Sequence, residues 1–250
     1  MLENLEFFLG RLRGLPHCRS MDLVAEAGGG FCLSTGSDAA SENWAFFPAS
    51  ISDEGPVRSA LRFFETCGLP FVWPLLGDGE ERLIRLGLRE AGRLLAMNRG
   101  CDGLGERDGL RVAFEPVGDD AGAGRWADAV WFGFGAEAGA PNSFSALAAE
   151  MRRDGALRLV TARVGDRDAG AFLVALDPSR VGVYYFAVLP FFRRRGVATA
   201  MMREIVRIAR VEGRDRIVLQ ATPSGVPFYQ SVGFESLSEI PLFSTNDDVF

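Results

Sequence analysis

The segment from Val181 to Thr199 constrains the fold more than any other. An apolar, β-rich run, Val181 to Leu189, stops at Pro190; Phe191-Phe192-Arg193-Arg194-Arg195-Gly196 follows, and a helix-forming stretch begins at once. A strand that passes through a short Gly-ended loop into a helix is an α/β unit with free N–H groups at the helix start. Those groups, with the helix dipole behind them, bind phosphate. Gly196 and the small Ala198 let an anion approach the backbone, and Arg193, Arg194 and Arg195 add charge. A Walker loop is excluded, because the Gly-Lys-Ser/Thr ending is absent and the chain has no lysine. The dinucleotide fingerprint fits poorly, since it needs further glycines here. Taken alone, an arginine run ending in glycine is also the composition of a solvated turn.

The surroundings extend the α/β reading. Upstream, a strand at Leu110 to Phe114, a turn-rich stretch Gly118 to Gly124, and helices from Arg125 to Phe134 and from Phe144 to Arg153 are separated by Ala140-Pro141-Asn142-Ser143. Two β-rich runs, Leu157 to Val164 and Gly170 to Leu176, flank the hairpin turn Gly165-Asp166-Arg167-Asp168. Downstream, Gly196 to Val211 places Ala198, Met201, Ile205, Ile208 and Ala209 on one helical face. A strand at Arg216 to Ala221, a short helix at Pro223 to Val232 ended by Gly233, and a strand at Phe234 to Leu242 complete the order β-α-α-β-β-β-α-β-α-β.

Residues 1–108 are less regular. A helix at Leu2 to Leu12, strands at Gly29 to Leu33 and Asn43 to Phe47, a helix from Pro56 to Cys67 ended by Gly68, and an edge strand at Leu69 to Leu75 are expected. A helix at Glu80 to Ala91 ended by Gly92 and a strand at Arg93 to Asn98 follow. The order strand, helix with Gly, strand, short helix with Gly, strand thus occurs at 43–98 and again at 181–242. The first part is therefore either a degenerate copy of the second or an unrelated α/β capping domain. The expected division is a non-catalytic domain at 1–108 and a catalytic one at 109–250, joined through the glycine-rich Gly100 to Gly109.

Two motif blocks give a family resemblance. Phe186-x-Val188-x-Pro190 followed by Arg193-x-x-Gly196-x-Ala198 resembles the L-x-V-x-P and R/Q-x-x-G-x-G/A hallmark of the GNAT superfamily of acyl-CoA-dependent N-acyltransferases, with Phe in the Leu position. Ala221-Thr222-Pro223-Ser224-Gly225 with Tyr229 and Gly233-Phe234 resembles that family's A-T-P-x-G-x-x-x-Y-x-x-x-G-F ending. The likeness covers residues 110–242. It implies a mixed α/β sheet in the GNAT fold and acetyl-CoA as co-substrate, with no metal. It also implies a wedge between the strand at 181–189 and the strand at 216–221. The pantetheine arm would pair with the backbone of Phe186, Ala187 and Val188, and the pyrophosphate would sit on the amides of Arg194 through Val197, Ala198 and Thr199. Val188 N–H would face the thioester oxygen as an oxyanion-hole donor. Tyr229 would protonate the leaving thiolate or merely pack on the cofactor; Thr222 and Gly225 complete the cofactor wall, Thr222 being equally suited to cap a helix.

The acceptor side is less legible. The splayed strand carries no carboxylate, so a general base is missing from it; Glu235 is a distant candidate, and a water-mediated route is the alternative. Tyr184 and Tyr185 should point to opposite faces, one toward the acceptor. Trp131, Phe132, Phe134 and Phe144 would supply an aromatic wall in which Glu137 is the only charge, with Trp131 and Phe134 as substrate candidates. Such a wall suits a small amine or amino acid better than a polybasic tail; the expected acceptor is a primary amine of a small molecule, amino acid or peptide. In the first part, Ile51-Ser52-Asp53-Glu54-Gly55-Pro56 replaces the phosphate loop with two acids, and Leu88, four before Gly92, stands where Tyr229 stands before Gly233.

Composition excludes other classes. The net charge is −6, divided as −5 over residues 1–108 and −1 over the rest, which argues against a nucleic-acid partner. The apolar runs fall far short of the ~20 residues of a membrane span, and Glu3 and Glu6 are unlike a signal peptide. Cys18, Cys32, Cys67 and Cys101 form no CxxC pair and His17 is the only histidine, so reduced thiols in a cytoplasmic protein are expected. A monomer or homodimer is expected. The rival to an N-acetyltransferase is a non-catalytic acyl-CoA-binding sensor or scaffold.

Overall fold

The computed structural model describes residues 2–25, 28–104, 110–136, 142, 144–247 and 249. The C-terminal half follows the expected order: β6 (Ala113–Pro116), α4 (Asp120–Gly133), α5 (Phe144–Met151), β7 (Leu157–Val164), β8 (Arg167–Leu176), β9 (Val181–Val188), α6 (Val197–Val211), β10 (Arg216–Ala221), α7 (Val226–Ser231) and β11 (Glu235–Ser244). The N-terminal half comprises α1 (Leu2–Arg13), β1 (Arg19–Ala25), β2 (Gly28–Ser34), β3 (Trp44–Phe46), α2 (Gly55–Cys67), β4 (Trp73–Pro74), α3 (Glu80–Arg85) and β5 (Arg89–Gly100).

Two local expectations are corrected. Helix α4 starts five residues early because Asp119 accepts the Gly122 amide at 2.7 Å, capping a stretch whose glycines read as a turn. Helix α3 stops at Arg85, because Gly87 takes φ +89° and Leu88 N–H closes on Leu83 O; Gly92 is already inside β5. The position matching Tyr229 is therefore Leu83, not Leu88. Like Leu88, it has no proton to donate.

Strand pairing shows that the halves are two copies of one plan. β1-β2-β3 and β7-β8-β9 are both antiparallel runs, and each is followed by a helix and a strand lying parallel to the third. The parallel contact is Trp44 with Val72 in the first half, and Val181 with Ile217 and Gly182 with Val218 in the second. The last strand of each half then crosses to the other: β5 pairs antiparallel with β10, β11 with β4, and β5 with β11 between them. The result is one mixed sheet, β4-β11-β5-β10-β9-β8-β7-β6, shared by both halves. The expected division at 108/109 and the glycines Gly105 and Gly109 lie outside the described residues, as does Glu137.

Packing follows from amphipathic patterning. α6 buries Val197, Met201, Met202, Ile205, Val206 and Ala209 against the sheet and turns Arg207 and Arg210 to solvent. On the opposite face, α1, α4 and α5 build one core with β8 and β9, including Phe8, Trp126 and Phe144. Gly182 makes the approach of α1 possible, since a Cβ there would overlap the Asn4 side chain. Asn4, fully buried, donates to Asp177, and its Oδ1 accepts from Tyr184 Oη at 2.9 Å.

Candidate active site

β9 and β10 are paired only at their first residues and part thereafter. Along β9, Leu189 N–H bonds Ala169 O of β8, so by antiparallel alternation Val188 N–H points the other way, into the gap. The sequence-predicted donor therefore faces the wedge. The carbonyl of the same residue is taken by Arg193 Nε at 3.1 Å, while the Arg193 Nη2 donates to Gly133 O at 2.8 Å. Arg193 thus ties the mouth of the wedge to α4 through two backbone carbonyls.

A bulge shapes the wall. β8 pairs Ala171 with Ala187 and Leu173 with Tyr184, so Phe172 stands opposite both Tyr185 and Phe186. Tyr185 takes φ +50°, and Phe172 O accepts from Trp126 Nε1 at 2.9 Å. The extra residue defeats the expected alternation: both tyrosines lie on the α1/α4 face. Tyr184 stacks on Phe8 (ring centroids 3.8 Å) with its hydroxyl on Asn4, and Tyr185 meets Phe8, Trp126 and Phe144. Phe186 turns to the other side, 5.7 Å from Phe228 and 5.9 Å from Tyr229.

The helix start is poised for an anion. Gly196 caps α6 in the left-handed region (φ +86°), Arg194 also has positive φ (60°), and Gly196 O accepts from Ala200. In any α-helix the first-turn amides, here those of Val197 through Thr199, lack carbonyl partners four residues back. A Cβ on Gly196 would meet open space, so the glycine serves its φ and leaves the approach clear. Arg195 lies over the exposed Phe191 at 4.4 Å. Arg167, which sequence reading did not single out, lies over the same ring at 4.7 Å from the β7–β8 hairpin.

Across the wedge, Tyr229 is buried against Phe228 and Phe234, and burial raises its hydroxyl well above the ordinary tyrosine range, so it holds its proton. Thr222 does not cap α7 with its side chain. Its carbonyl accepts from Gly225 and Val226, and its hydroxyl pairs with Ser224 at 3.2 Å. A Cβ on Gly225 would press the Tyr229 ring at 3.2 Å. Trp131 packs edge-on against Phe144 with its Nε1 buried and unpartnered among the described residues; Phe134 is 58% exposed. Glu235 is exposed on β11, separated from β9 by β5 and β10, and so does not face the wedge.

The structure adds a carboxylate that no local motif announces. Glu42, just before β3, accepts a hydrogen bond from Tyr185 Oη at 2.8 Å, across 143 residues of chain. Burial pushes its carboxyl up to about 7, opposed by that hydrogen bond.

The parted sheet beside a capped helix start forms a cleft open at the helix N-terminus. Residues 135–243 match the family model described as an acetyltransferase (GNAT) domain. The C-terminal half has the GNAT fold. No curated protein matches the chain. Among solved structures, a GCN5-related N-acetyltransferase from Kribbella flavida is similar at 14% identity with TM-score 0.67, over 97% of this chain and 94% of that one. A tandem GNAT protein from the clavulanic acid biosynthesis pathway is similar at 12% identity with TM-score 0.64, over 95% and 86%. A functionally unknown conserved protein from Staphylococcus epidermidis is similar at 11% identity with TM-score 0.62, over 83% and 86%. At such identities the likeness is one of fold, and it spans both halves.

Proposed function

We propose that this chain is an acetyl-CoA-dependent N-acetyltransferase with one active site, in its C-terminal half, acting on a primary amine of a small molecule, amino acid or peptide. The observation that carries the reading is the parted β9 and β10, with free backbone donors on one wall and a capped helix start at the mouth. Bound acetyl-CoA supplies an activated acyl thioester. The backbone of Phe186 to Val188 aligns the pantetheine arm, and the amides of Val197, Ala198 and Thr199 hold the pyrophosphate. Arg194 and Arg195 add positive charge at the mouth. Val188 N–H is placed to stabilise negative charge on the thioester oxygen, and Tyr229, kept protonated by burial, donates to the departing sulfur. The N-terminal half carries no second site, because its equivalent loop bears Asp53 and Glu54 and its tyrosine position is Leu83.

A CoA-binding module without catalysis shares the same wedge and is favoured by the absence of a carboxylate on β9 itself. One experiment separates them. Calorimetry with acetyl-CoA should give one site per chain, and thiol release should rise when primary amines are added. Binding without amine-dependent thiol release would favour the module, and no binding would overturn both readings.

A further inference from the structure

We propose that Glu42, brought by the N-terminal half to the hydroxyl of Tyr185 on the splayed strand, receives the proton that the acceptor ammonium must lose. This rests on the transferase reading above and supplies the base that β9 lacks. The loop that delivers Glu42 is rigidly built. Buried Asn43 accepts the Thr35 amide and donates to the carbonyls of Ser37, Ala39 and Pro70. Tyr185 sits at the bulge, next to the backbone that lines the wedge, with part of its surface still accessible. Its ring is walled by Trp126 and Phe144, and its hydroxyl has one partner among the described residues, Glu42 Oε2.

The groups facing this pair favour a proton acceptor near neutral pH. Cys18, after α1, is held as a thiol, its value pushed up to about 12 chiefly by burial and further by Glu150 and Glu42. Glu150 on α5 is engaged by the His17 backbone N–H at 2.8 Å. No arginine pairs with Glu42 among the described residues, and burial sets its carboxyl about where an amine-acetylating base is useful.

The transfer balances as a relay. The ammonium proton passes to Tyr185 Oη while the Tyr185 proton passes to Glu42 Oε2. The neutral amine nitrogen then bonds to the acyl carbon, the C–S bond breaks with its electron pair on sulfur, and Tyr229 gives its proton to that sulfur. The nitrogen, acidified by acylation, gives its second proton through water to the Tyr229 phenolate, and Glu42 releases its proton to water, so one proton is released per amide formed. Glu42 acts through Tyr185 and is thus a positioning residue.

The test uses the full chain, acetyl-CoA, and spermidine, 2-phenylethylamine, glycine and alanine amide as probes. In the wild type kcat/KM should rise with pH through about 7. Glu42→Gln should lower kcat/KM by about 100-fold and flatten that limb. Glu42→Asp should restore part of both, and acetyl-CoA affinity should stay within about twofold, since cofactor contacts are intact. Independently of turnover, carbon-13 NMR of glutamate-labelled protein should show one carboxyl titrating near 7, absent in Glu42→Gln and displaced in Tyr185→Phe. If Glu42→Gln does not fold, the wild-type and Tyr185→Phe spectra decide alone. A wild type that acetylates an amine while Glu42→Gln keeps its pH profile overturns the role of Glu42 only. No glutamate titrating above the ordinary range also overturns it. A wild type that binds acetyl-CoA yet acetylates none of the probes overturns this proposal and the transferase reading together.

Discussion

The same strand pair is open in one half of the molecule and shut in the other. In the C-terminal half β9 and β10 are held at their starts alone, and the loops that follow turn away: Leu189 bonds back to β8, and Thr222 bonds to the start of α7. In the N-terminal half β3 and β4 are tied at both ends. Ala45 N–H bonds Val72 O and Val72 N–H bonds Asn43 O near the start. Beyond the strands Ile51 N–H bonds Asp78 O at 2.7 Å, and Asp78 N–H bonds Ser50 Oγ at 3.1 Å. Buried Phe47 and Trp73 meet between the ties, with ring centroids 6.3 Å apart. At the helix start, Asp53 accepts the Gly55 amide and Pro56 has no N–H, so two of the three first-turn donors that an anion would need are used or missing. One topology therefore yields a cleft or a core according to whether its strand-end donors are satisfied internally.

The largest expected effect separates the two proton positions. Tyr229→Phe should lower kcat by about 100-fold with acetyl-CoA affinity within about twofold, whereas Leu83→Met should leave kcat unchanged; steady-state kinetics and calorimetry read both. A Tyr229→Phe enzyme with wild-type kcat would break the comparison at that point. Next, Gly196→Val should weaken acetyl-CoA binding by about tenfold, because a branched residue resists φ +86° at a cost of about 1–2 kcal/mol. Gly55→Val should leave that affinity alone. Titration should still find one site after Asp53→Ala, since Pro56 cannot donate; a second site would mean the first half is only masked.

Smaller effects concern how the halves are joined. Asn4→Ala should destabilise by about 1–3 kcal/mol in urea unfolding, because Tyr184 and Asp177 each lose a buried partner. The smallest expected effect is on pH dependence. The Glu42 carboxyl stands at about 7 in the fold against an ordinary 4.5, so between those values the unfolded chain has released a proton that the folded one retains. Stability contributed by this group is lost as pH rises through that window, and Glu42→Gln should raise the melting temperature more at pH 8 than at pH 5. Equal shifts at both would contradict the burial of the carboxylate.

Much of the C-terminal half was legible because its signals are local. Pro190, the arginine run and Gly196 mark a strand–loop–helix within a few residues, and Gly68, Gly213 and Gly233 each mark a helix end through positive φ. The N-terminal half was harder to read. β1, with its polar, exposed residues, showed no strand period, and Gly92 looked like a helix end although Gly87 is the one with positive φ. Arg193 shows the limit of reading charge as function: its guanidinium serves two carbonyls, one of which, Gly133 O on α4, only the fold brings near it.

Three features belong to the tertiary structure alone: the bulge that turns both Tyr184 and Tyr185 to one face, the exchange of β5 and β11, and the meeting of Glu42 with Tyr185. Each depends on hydrogen bonds between segments far apart in the chain, which no spacing of residue types encodes. The amino-acid order by itself determined where helices start and stop, and which turn could hold an anion, because caps and glycine dihedrals act over a few residues. Which wedge stayed open was decided by long-range backbone pairing.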